Sequence, residues 1–298
     1  MIVERDGKKV KLSDLGVIVK DFIVSSVEFE EHHEDIEGMA GGVDNGVSIG
    51  RRSISVPITF KSQDLLDFPL LRDELFDLFH PSGFIYVQEM RRPKNLAYDF
   101  VDFGQKPKYE DGTENVLVGG KRYKVRIASP FDFEQFKTYG STVLEFKTVG
   151  LPYSESVYST RELNDTGYDA LVEKYGLVDG INSDNTRYKF TQSNFTVWNA
   201  GNVTVAPEQM YLQISVHNVT SDKDFTIRNK TTGEEFIYRK SLNQQPIYID
   251  GMSTKVYQAN IFRDTNKRFI SLAPGENDFE ILNGTFNRID FDFRFYYK

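Results

Sequence analysis

The residues of this sequence most able to bind a metal are two adjacent histidines followed by two acids. They are His32, His33, Glu34 and Asp35, and the other two histidines of the chain stand alone. Adjacent residues of a strand point to opposite faces, and no His-x-x-x-His spacing places two imidazoles on one helix face. We interpret residues 32–35 as a solvated acidic loop, and we expect no metal and no cofactor.

The glycine-rich segment and the lack of cysteine indicate no phosphate-binding site and no thiol chemistry. Residues 38–42 read Gly-Met-Ala-Gly-Gly, but no helix signal follows, and a phosphate cradle needs a helix N-terminus behind its glycines. We interpret this segment as a flexible turn. The sequence has no cysteine, which excludes disulfides, thiolate metal sites and cysteine nucleophiles.

Carboxylate pairs are the remaining catalytic candidates, because glycoside hydrolases work with two acids. Two pairs are candidates only because they are carboxylates close together in the sequence: Glu234 with Glu235, and Asp290 with Asp292. The second pair lies on the predicted outward face of a strand, where charge usually serves solubility. We therefore predict that the chain is not an enzyme, and a hydrolase stays as an alternative.

Trp198 is the single tryptophan of the sequence and a candidate for stacking on a sugar ring. Carbohydrate-binding sandwiches present exposed aromatic side chains in this way. The alternative is a core or inter-domain anchor, which we favour because Trp198 stands alone at the start of a predicted domain. A carbohydrate-binding adhesion module is the second hypothesis about function.

The composition describes a folded, β-rich protein without the charge of a nucleic-acid-binding protein. Of 298 residues, 14 % are aromatic, and the length suffices for one large domain or two ordinary ones. The net charge is −8, and residues 1–157 hold 20 Lys and Arg against 26 Asp and Glu, whereas DNA binding needs concentrated cations. With no signal-peptide pattern and no apolar run near roughly 18 residues, we expect a soluble cytoplasmic protein without a membrane anchor.

Residues 1–157 show the pattern of a β domain with one helix. Residues 53–60 alternate between apolar and polar side chains, and Pro57 indicates an edge strand because proline cannot donate to a ladder. Further strands are predicted at 84–87, 121–127 and 142–148. A helix over 65–83, capped by Asp67, is predicted to bury Phe68, Leu71, Leu75 and Phe79.

The segment 95–120 is polar and predicts a long projecting loop, with turn signals at Asp111-Gly112 and Gly119-Gly120. It keeps apolar side chains, among them Leu96, Tyr98, Phe100, Val101, Phe103 and Tyr109, which a free loop would expose to water at a cost. We therefore expect the loop to contact a neighbouring subunit or protein. The contact residues would include Tyr98, Phe100, Phe103 and Tyr109.

The rest of the chain predicts a connector and an antiparallel β-sandwich. Residues 158–193 are polar, with a short helix predicted over 165–175, and residues 194–298 carry strand signals alone. Two apolar runs flank the turn at 231–233 as in a hairpin. The last strand is predicted to point Ile289, Phe291, Phe293 and Phe295 inward and Asp290, Asp292, Arg294 and Tyr296 outward.

Four ordered stretches resemble the distal tail proteins (Dit) of siphophages. They are Gly50-Arg51-Arg52-Ser53, the helix segment 71–76, residues 121–126 followed by Phe133-Glu134-Gln135, and residues 144–146 leading to Pro152 and Glu155. The second half is similar more loosely, through Asn199-Ala200-Gly201-Asn202, Asn229 to Gly233 and Ala273-Pro274-Gly275-Glu276-Asn277. The resemblance implies structural roles for Gly50, Arg51, Arg52, Glu134, Gln135, Pro152 and Glu155.

The resemblance also implies a fold and a task. The expected domains are a split-barrel-like, ring-forming belt domain (1–157), a connector (158–193) and a galectin-like β-sandwich (194–298). Six copies would close into a ring that joins the tail tube to the tail tip or baseplate. The ring would dock the tail-associated (Tal) protein, and in some phages receptor-binding and tape-measure proteins, while double-stranded DNA passes its lumen without specific binding. The chain would be a virion protein, assembled in the cytoplasm of a Gram-positive host.

Overall fold

The computed structural model describes residues 1–38, 40–91, 119–175, 180–181 and 183–298. These residues form two compact units, Met1–Ser154 and Glu155–Lys298. The protein is mainly β, which confirms the predicted class. The predicted contact residues Tyr98, Phe100, Phe103 and Tyr109 lie outside the described residues.

The first unit has nine strands and one α-helix among its described residues. In chain order they are β1 (Ile2–Arg5), β2 (Lys8–Lys11), β3 (Val17–Val19), β4 (Ile23–Asp35), β5 (Gly42–Lys61), α1 (Asp67–Leu78), β6 (Ile85–Gln88), β7 (Lys121–Ile127), β8 (Glu134–Phe136) and β9 (Tyr139–Thr148). A 3-10 helix (Leu12–Leu15) follows β2. The antiparallel sheet has the order β2-β1-β6-β7-β9-β5-β3, with β4 paired to β5 and β8 to β9.

The core of the first unit lies between β5 and α1, as the two periodicities predict. Every second residue of β5 is buried from Ile54 to Phe60, and the same cluster includes Phe68 and Leu75 of α1 and Phe79 directly after it. The rings of Phe60 and Phe68 lie 5.1 Å apart. Each such side chain contributes roughly 1.5–3 kcal/mol on burial, so this layer fixes the base of β5.

The edge position predicted for Pro57 is wrong, because β5 is an inner strand. Pro57 faces Val143 of β9 on one side, and its carbonyl accepts a hydrogen bond from Lys20 on the other. Lys20 lies in the gap between β3 and β4, where no strand requires an N–H from residue 57. The proline therefore occupies the one stretch of β5 whose ladder partner is interrupted.

Asp64, and not the predicted Asp67, caps helix α1. The Asp64 carboxylate accepts hydrogen bonds from the backbone N–H groups of Leu66 and Asp67, at 2.7 and 2.9 Å. It satisfies two of the amides that every helix start leaves without a partner. The sequence Asp64-Leu65-Leu66-Asp67 offers two carboxylates, and the spacing alone does not decide between them.

The second unit contains the remaining elements. These are β10 (Ser154–Ser156, shared with the first unit), α2 (Thr160–Thr166), α3 (Tyr168–Tyr175), β11 (Lys189–Phe190), β12 (Asn194–Asn199), β13 (Leu212–Ser221), β14 (Phe225–Asn229), β15 (Glu234–Tyr238), β16 (Leu242–Asp250), β17 (Ser253–Val256), β18 (Ala259–Asn260), β19 (Gly275–Leu282), β20 (Arg288–Phe293) and β21 (Tyr296–Tyr297). Two 3-10 helices lie at Ser183–Asn185 and Phe262–Asp264. Residues 158–193 thus contain α2, α3 and β11.

Two antiparallel sheets form the sandwich of the second unit. One has the order β11-β20-β13-β16-β17-β18 and the other β12-β19-β14-β15. Their inner faces meet through aromatic side chains: Phe279 of β19 lies 4.9 Å from Phe291 of β20 and stacks on Phe195 at 5.5 Å. The predicted hairpin is confirmed, with β14 and β15 paired across the turn.

The outward positions predicted for Asp292 and Tyr296 are wrong, since both side chains are buried. Asp292 accepts hydrogen bonds from the backbone N–H of Arg161, at the start of α2, and from the Tyr211 hydroxyl. Burial and this hydrogen bond raise the pKa of Tyr211. The alternation fails at Tyr296 because β20 ends at Phe293 and a new strand begins at Tyr296.

Three asparagines from the motifs of the second half are buried and hold one loop. Asn199 donates to the carbonyls of Val203 and Leu272, and Asn229 donates to Ser271 and to the Asn277 side chain. Asn277 donates to the carbonyl of Ala273 and accepts from its N–H, both at 2.8 Å. These motif residues therefore position the segment 271–277 by satisfying its backbone groups.

Candidate functional site

The most exposed part of the first unit is a two-stranded extension, here called the arm, formed by residues 27–35 and 42–52. These residues of β4 and β5 pair only with each other, because β9 pairs with β5 only from Ser53 onward. Most of their side chains are exposed. An isolated two-stranded ribbon is marginally stable in water, so the arm depends on a partner or on its base for order.

One face of the arm, here called the apolar face, carries Val27, Phe29, Val47 and Ile49, together with Glu31, which is paired with Val47. Phe29 is paired with Ile49, and Val27 is paired with Arg52 two residues before the buried Ile54. Paired residues, and residues two apart along a regular strand, share one side, so this face continues the core side of β5. Phe29 is 64 % exposed, and Val47 and Ile49 are 56 % exposed each. Clustered apolar exposure of this kind marks contact surfaces.

The opposite side of the arm, here called the acidic face, carries Glu28, Glu30 and Glu34. The Glu28 carboxylate lies 3.0 Å from the Lys147 ammonium, whose hydrogen bond lowers the pKa of Glu28. Glu30 and Glu34 have no ion pair with the residues that the structure describes. On the same side, His32 contacts the Ser48 hydroxyl at 2.6 Å. The arm is therefore amphipathic, with an apolar and an acidic side.

Gly50, Arg51 and Arg52 of the first motif lie at the base of the arm. Gly50 faces Glu28, and a Cβ at residue 50 would come within 3.3 Å of the Glu28 carbonyl oxygen, so glycine fits best. Arg51 is exposed, whereas Arg52 is 7 % exposed and its backbone N–H donates to the Thr148 hydroxyl. Adjacent residues of a strand point to opposite faces, which gives the two neighbouring arginines different surroundings.

The other motif residues lie on different elements. Glu134 and Gln135 are exposed on β8, where Gln135 donates to the Lys137 carbonyl within the tight turn to β9. Pro152 is buried, and the carboxylate of Glu155 lies 3.9 Å from the Arg294 guanidinium. No contact among the described residues joins these groups to Gly50, Arg51 or Arg52, so the motif residues do not form one site.

Trp198 is half-buried on β12, and its indole N–H donates to the Gly180 carbonyl at 2.9 Å. Its polar group is therefore used within the second unit. The carboxylate candidates are used as well. Glu234 accepts hydrogen bonds from the N–H and hydroxyl of Ser271, and Asp290 pairs with Arg288.

The predicted acidic loop at residues 32–35 is a strand segment of the arm, and its side chains are exposed, as expected for solvated charge. In the described ranges, no three His, Asp or Glu side chains come close enough together to hold a metal ion. The glycine-rich segment joins β4 to β5, and a strand follows it where a phosphate site would need a helix. No helix of the described residues has the length and apolarity to span a membrane.

The sequence profile of the phage tail protein RIFT-related domain matches residues 5–148. Residues 5–148 are therefore similar to a phage tail domain of this family. The match covers the arm, α1 and the sheet that holds them. No curated protein sequence matches the chain.

A solved phage structure shares the fold. The Dit protein (gp 19.1) of SPP1, described as a paradigm of hub adsorption apparatus in Gram-positive infecting phages, aligns with a TM-score of 0.62 at 13 % identity, over 99 % of this chain and 98 % of that one. A chain of the phage p2 baseplate in its activated conformation with Sr aligns at 0.45 and 11 % identity, over 98 % and 96 % of the two chains. The domain match gives residues 5–148 a similarity to phage tail proteins, and the likeness to the SPP1 protein shows a shared fold.

The apolar face of the arm is absent from the sequence-based candidates. Its signal is a change of phase in one strand: the apolar residues fall on odd positions at Val47 and Ile49 and on even positions from Ile54. A change of phase inside a continuous strand indicates a bulge. Strict alternation, which holds for residues 53–60, does not extend across it.

Proposed function

We propose that the chain is the subunit of a hexameric distal tail ring that joins the tail tube to the tail tip or baseplate. The observation that carries the proposal is the arm, which extends from a phage tail domain with an exposed apolar face. In a closed ring the apolar face of each copy contacts the next copy. Every apolar face is then covered, and the assembly does not grow into a filament. Ring closure also covers the strand edges of the arm.

The proposal includes the parts that the resemblance implies. Residues 1–157 form the belt, residues 158–193 the connector, and residues 194–298 a galectin-like sandwich outside it. The partners are the tail tube protein, the Tal protein and, in some tails, receptor-binding and tape-measure proteins. Assembly takes place in the host cytoplasm, and the site of action is the virion tail tip.

Electron microscopy of the purified chain tests the ring directly, and the expected result is sixfold rings or stacked rings. Light scattering at high micromolar concentration gives the mass in parallel. A monomer at that concentration, together with assembled tails that contain no such ring, would contradict the proposal.

The bore of the ring is expected to be acidic. A basic bore would hold passing DNA through counterion release, whereas a negative one keeps contact weak. Residues 1–157 carry −6, so six copies place −36 around one axis, and we assign the acidic face of the arm to the bore. A structure of the ring decides this: more Lys and Arg than Asp and Glu on the bore surface is the contrary result.

Deleting residues 96–118 is expected to prevent the assembly of tails. The basis is the set of apolar side chains in this segment, which call for a covering partner. The deletion is compared with the full chain in tail assembly and in ring formation by electron microscopy. Normal rings and normal tails from the deleted chain would show that the segment is no assembly element.

The alternative function is adhesion to the host wall through a carbohydrate-binding second unit. We expect no such binding, because the Trp198 indole N–H is bonded to Gly180 and its ring is only half-exposed. Calorimetry of the full chain against cell-wall polysaccharide measures this. Specific heat of binding that disappears in Trp198→Ala would favour the alternative.

A further inference from the structure

Arg52 is largely buried, at 7 % exposed, and has no counter-charge in the part of the chain that the structure describes. Its Nε atom is buried and has no hydrogen-bond partner, and its guanidinium makes no ion pair with any described carboxylate. Its backbone is fixed by the hydrogen bond to Thr148 at 2.9 Å. Arginine does not release its proton in proteins, so a largely buried guanidinium without a counter-charge gains stability when a carboxylate reaches it.

The position of Arg52 shows from which side a carboxylate can come. Arg52 lies on the apolar face of the arm, between the buried Ile54 and the exposed pair of Phe29 and Ile49. A partner that covers this face therefore also lies against the guanidinium. The matching partner surface is apolar and carries an unpaired acid at one end.

Helix α1 of the first unit presents such a surface. Leu66, Leu70 and Glu74 follow each other at spacings of four, so they lie on one helix face. Leu66 is 83 % exposed and Leu70 69 %, and the exposed Glu74 has no ion pair among the described residues. Leu70 and Glu74 also line a groove of about 500 Å³, whose charged residues are Asp14, Asp67, Glu74 and Lys61, so that acids outnumber cations there.

The two surfaces complement each other in apolar character and in charge. One has Phe29 and Ile49 beside an unpaired cation, and the other has Leu66 and Leu70 beside an unpaired anion. They belong to different parts of the same unit, which is the requirement for a head-to-tail contact between copies. A ring of identical chains can therefore satisfy both surfaces with no other protein.

We propose that Arg52 forms an ion pair with Glu74 of a neighbouring copy of this chain, when the apolar face of one arm lies on helix α1 of the next. The inference rests on the proposed ring and names its contact. The pair is incomplete in a single copy. Assembly then supplies the counter-charge that the folded monomer lacks.

The test is the self-association of the full-length chain, measured by mass photometry and sedimentation across concentrations. Arg52→Met is expected to weaken the association at least about 30-fold, because it leaves the opposite carboxylate without its partner in a desolvated contact. Arg51→Met, at the exposed neighbouring arginine, is the matched control and is expected to change it less than about 2-fold. Glu74→Gln is expected to behave like Arg52→Met, and Asp73→Asn like the control.

The double variant Arg52→Met with Glu74→Gln identifies the pair. If the two groups contact each other, the double variant associates as weakly as either single variant. Multiplied effects would show that Arg52 and Glu74 act separately, and would overturn the inference. Unchanged association of Arg52→Met, even with defective tails, would overturn it as well, since the carboxylate would then come from another protein.

Urea unfolding of the dilute, monomeric chain separates the pair from a structural role of Arg52. An unpaired buried charge replaced by a side chain of similar volume leaves the midpoint unchanged or higher. A clearly lower midpoint of Arg52→Met would place the partner inside its own chain and contradict the inference. A wild-type chain that never associates would contradict the ring itself, whereas wild-type rings with equally stable Arg52→Met rings contradict only the pair.

Discussion

The double substitution Phe29→Ser and Ile49→Ser is expected to abolish ring formation and to leave the fold intact. Both side chains are more than half exposed in a single copy, so their loss changes the free energy of unfolding by no more than about 0.5 kcal/mol. At a contact between copies each burial contributes roughly 1.5–3 kcal/mol, and the loss recurs at every interface of the ring. Association of neighbours should weaken by about two orders of magnitude or more.

Mass photometry and electron microscopy of the double variant measure this, with circular dichroism as the check on folding. The control is Met252→Ser with Tyr257→Ser, which removes two side chains of similar exposure from turns of the second unit. Rings of the control should match those of the wild type. Intact rings of the Phe29 and Ile49 variant would show that another surface holds the copies together.

Asn277→Ala is expected to lower the free energy of unfolding of the second unit by about 3–5 kcal/mol. The Asn277 side chain is fully buried and bonds to both backbone groups of Ala273, to the Gly275 carbonyl and to Asn229. Alanine leaves these buried groups without partners, and each costs roughly 1–3 kcal/mol.

Urea unfolding followed by circular dichroism gives the change. The matched control is Asn202→Ala, because Asn202 is exposed and its side chain accepts one hydrogen bond, from the Lys298 N–H. The control should cost less than about 0.5 kcal/mol. Equal losses in the two variants would show that the buried asparagines do not hold the loop.

The parts of the fold that follow from periodicity are predictable from the sequence. The alternation from Ile54 to Phe60 identifies the strand, and the spacings of seven and four between Phe68, Leu75 and Phe79 identify the helix. The same holds for the hairpin of β14 and β15. These elements depend on local sequence and on one packing face.

The features that the sequence does not predict depend on distant partners. Pro57 is an inner residue because β3 ends opposite it, and Asp292 is buried because helix α2 begins above it. The two faces of the arm follow from register shifts between β4 and β5, which no single strand encodes. Arg51 and Arg52 are equivalent in sequence, and only the sheet makes one exposed and the other buried.

The single tryptophan gives the chain an optical label for one of its two units. Trp198 belongs to the second unit, and the other 297 residues include no second indole. The indole N–H donates a hydrogen bond to the Gly180 carbonyl of the same unit, so the indole emission changes when that unit unfolds. Tryptophan emission therefore follows the sandwich alone, while far-ultraviolet dichroism follows the strands of both units. Two different midpoints would show, without any added dye, that belt and sandwich unfold as separate cooperative bodies.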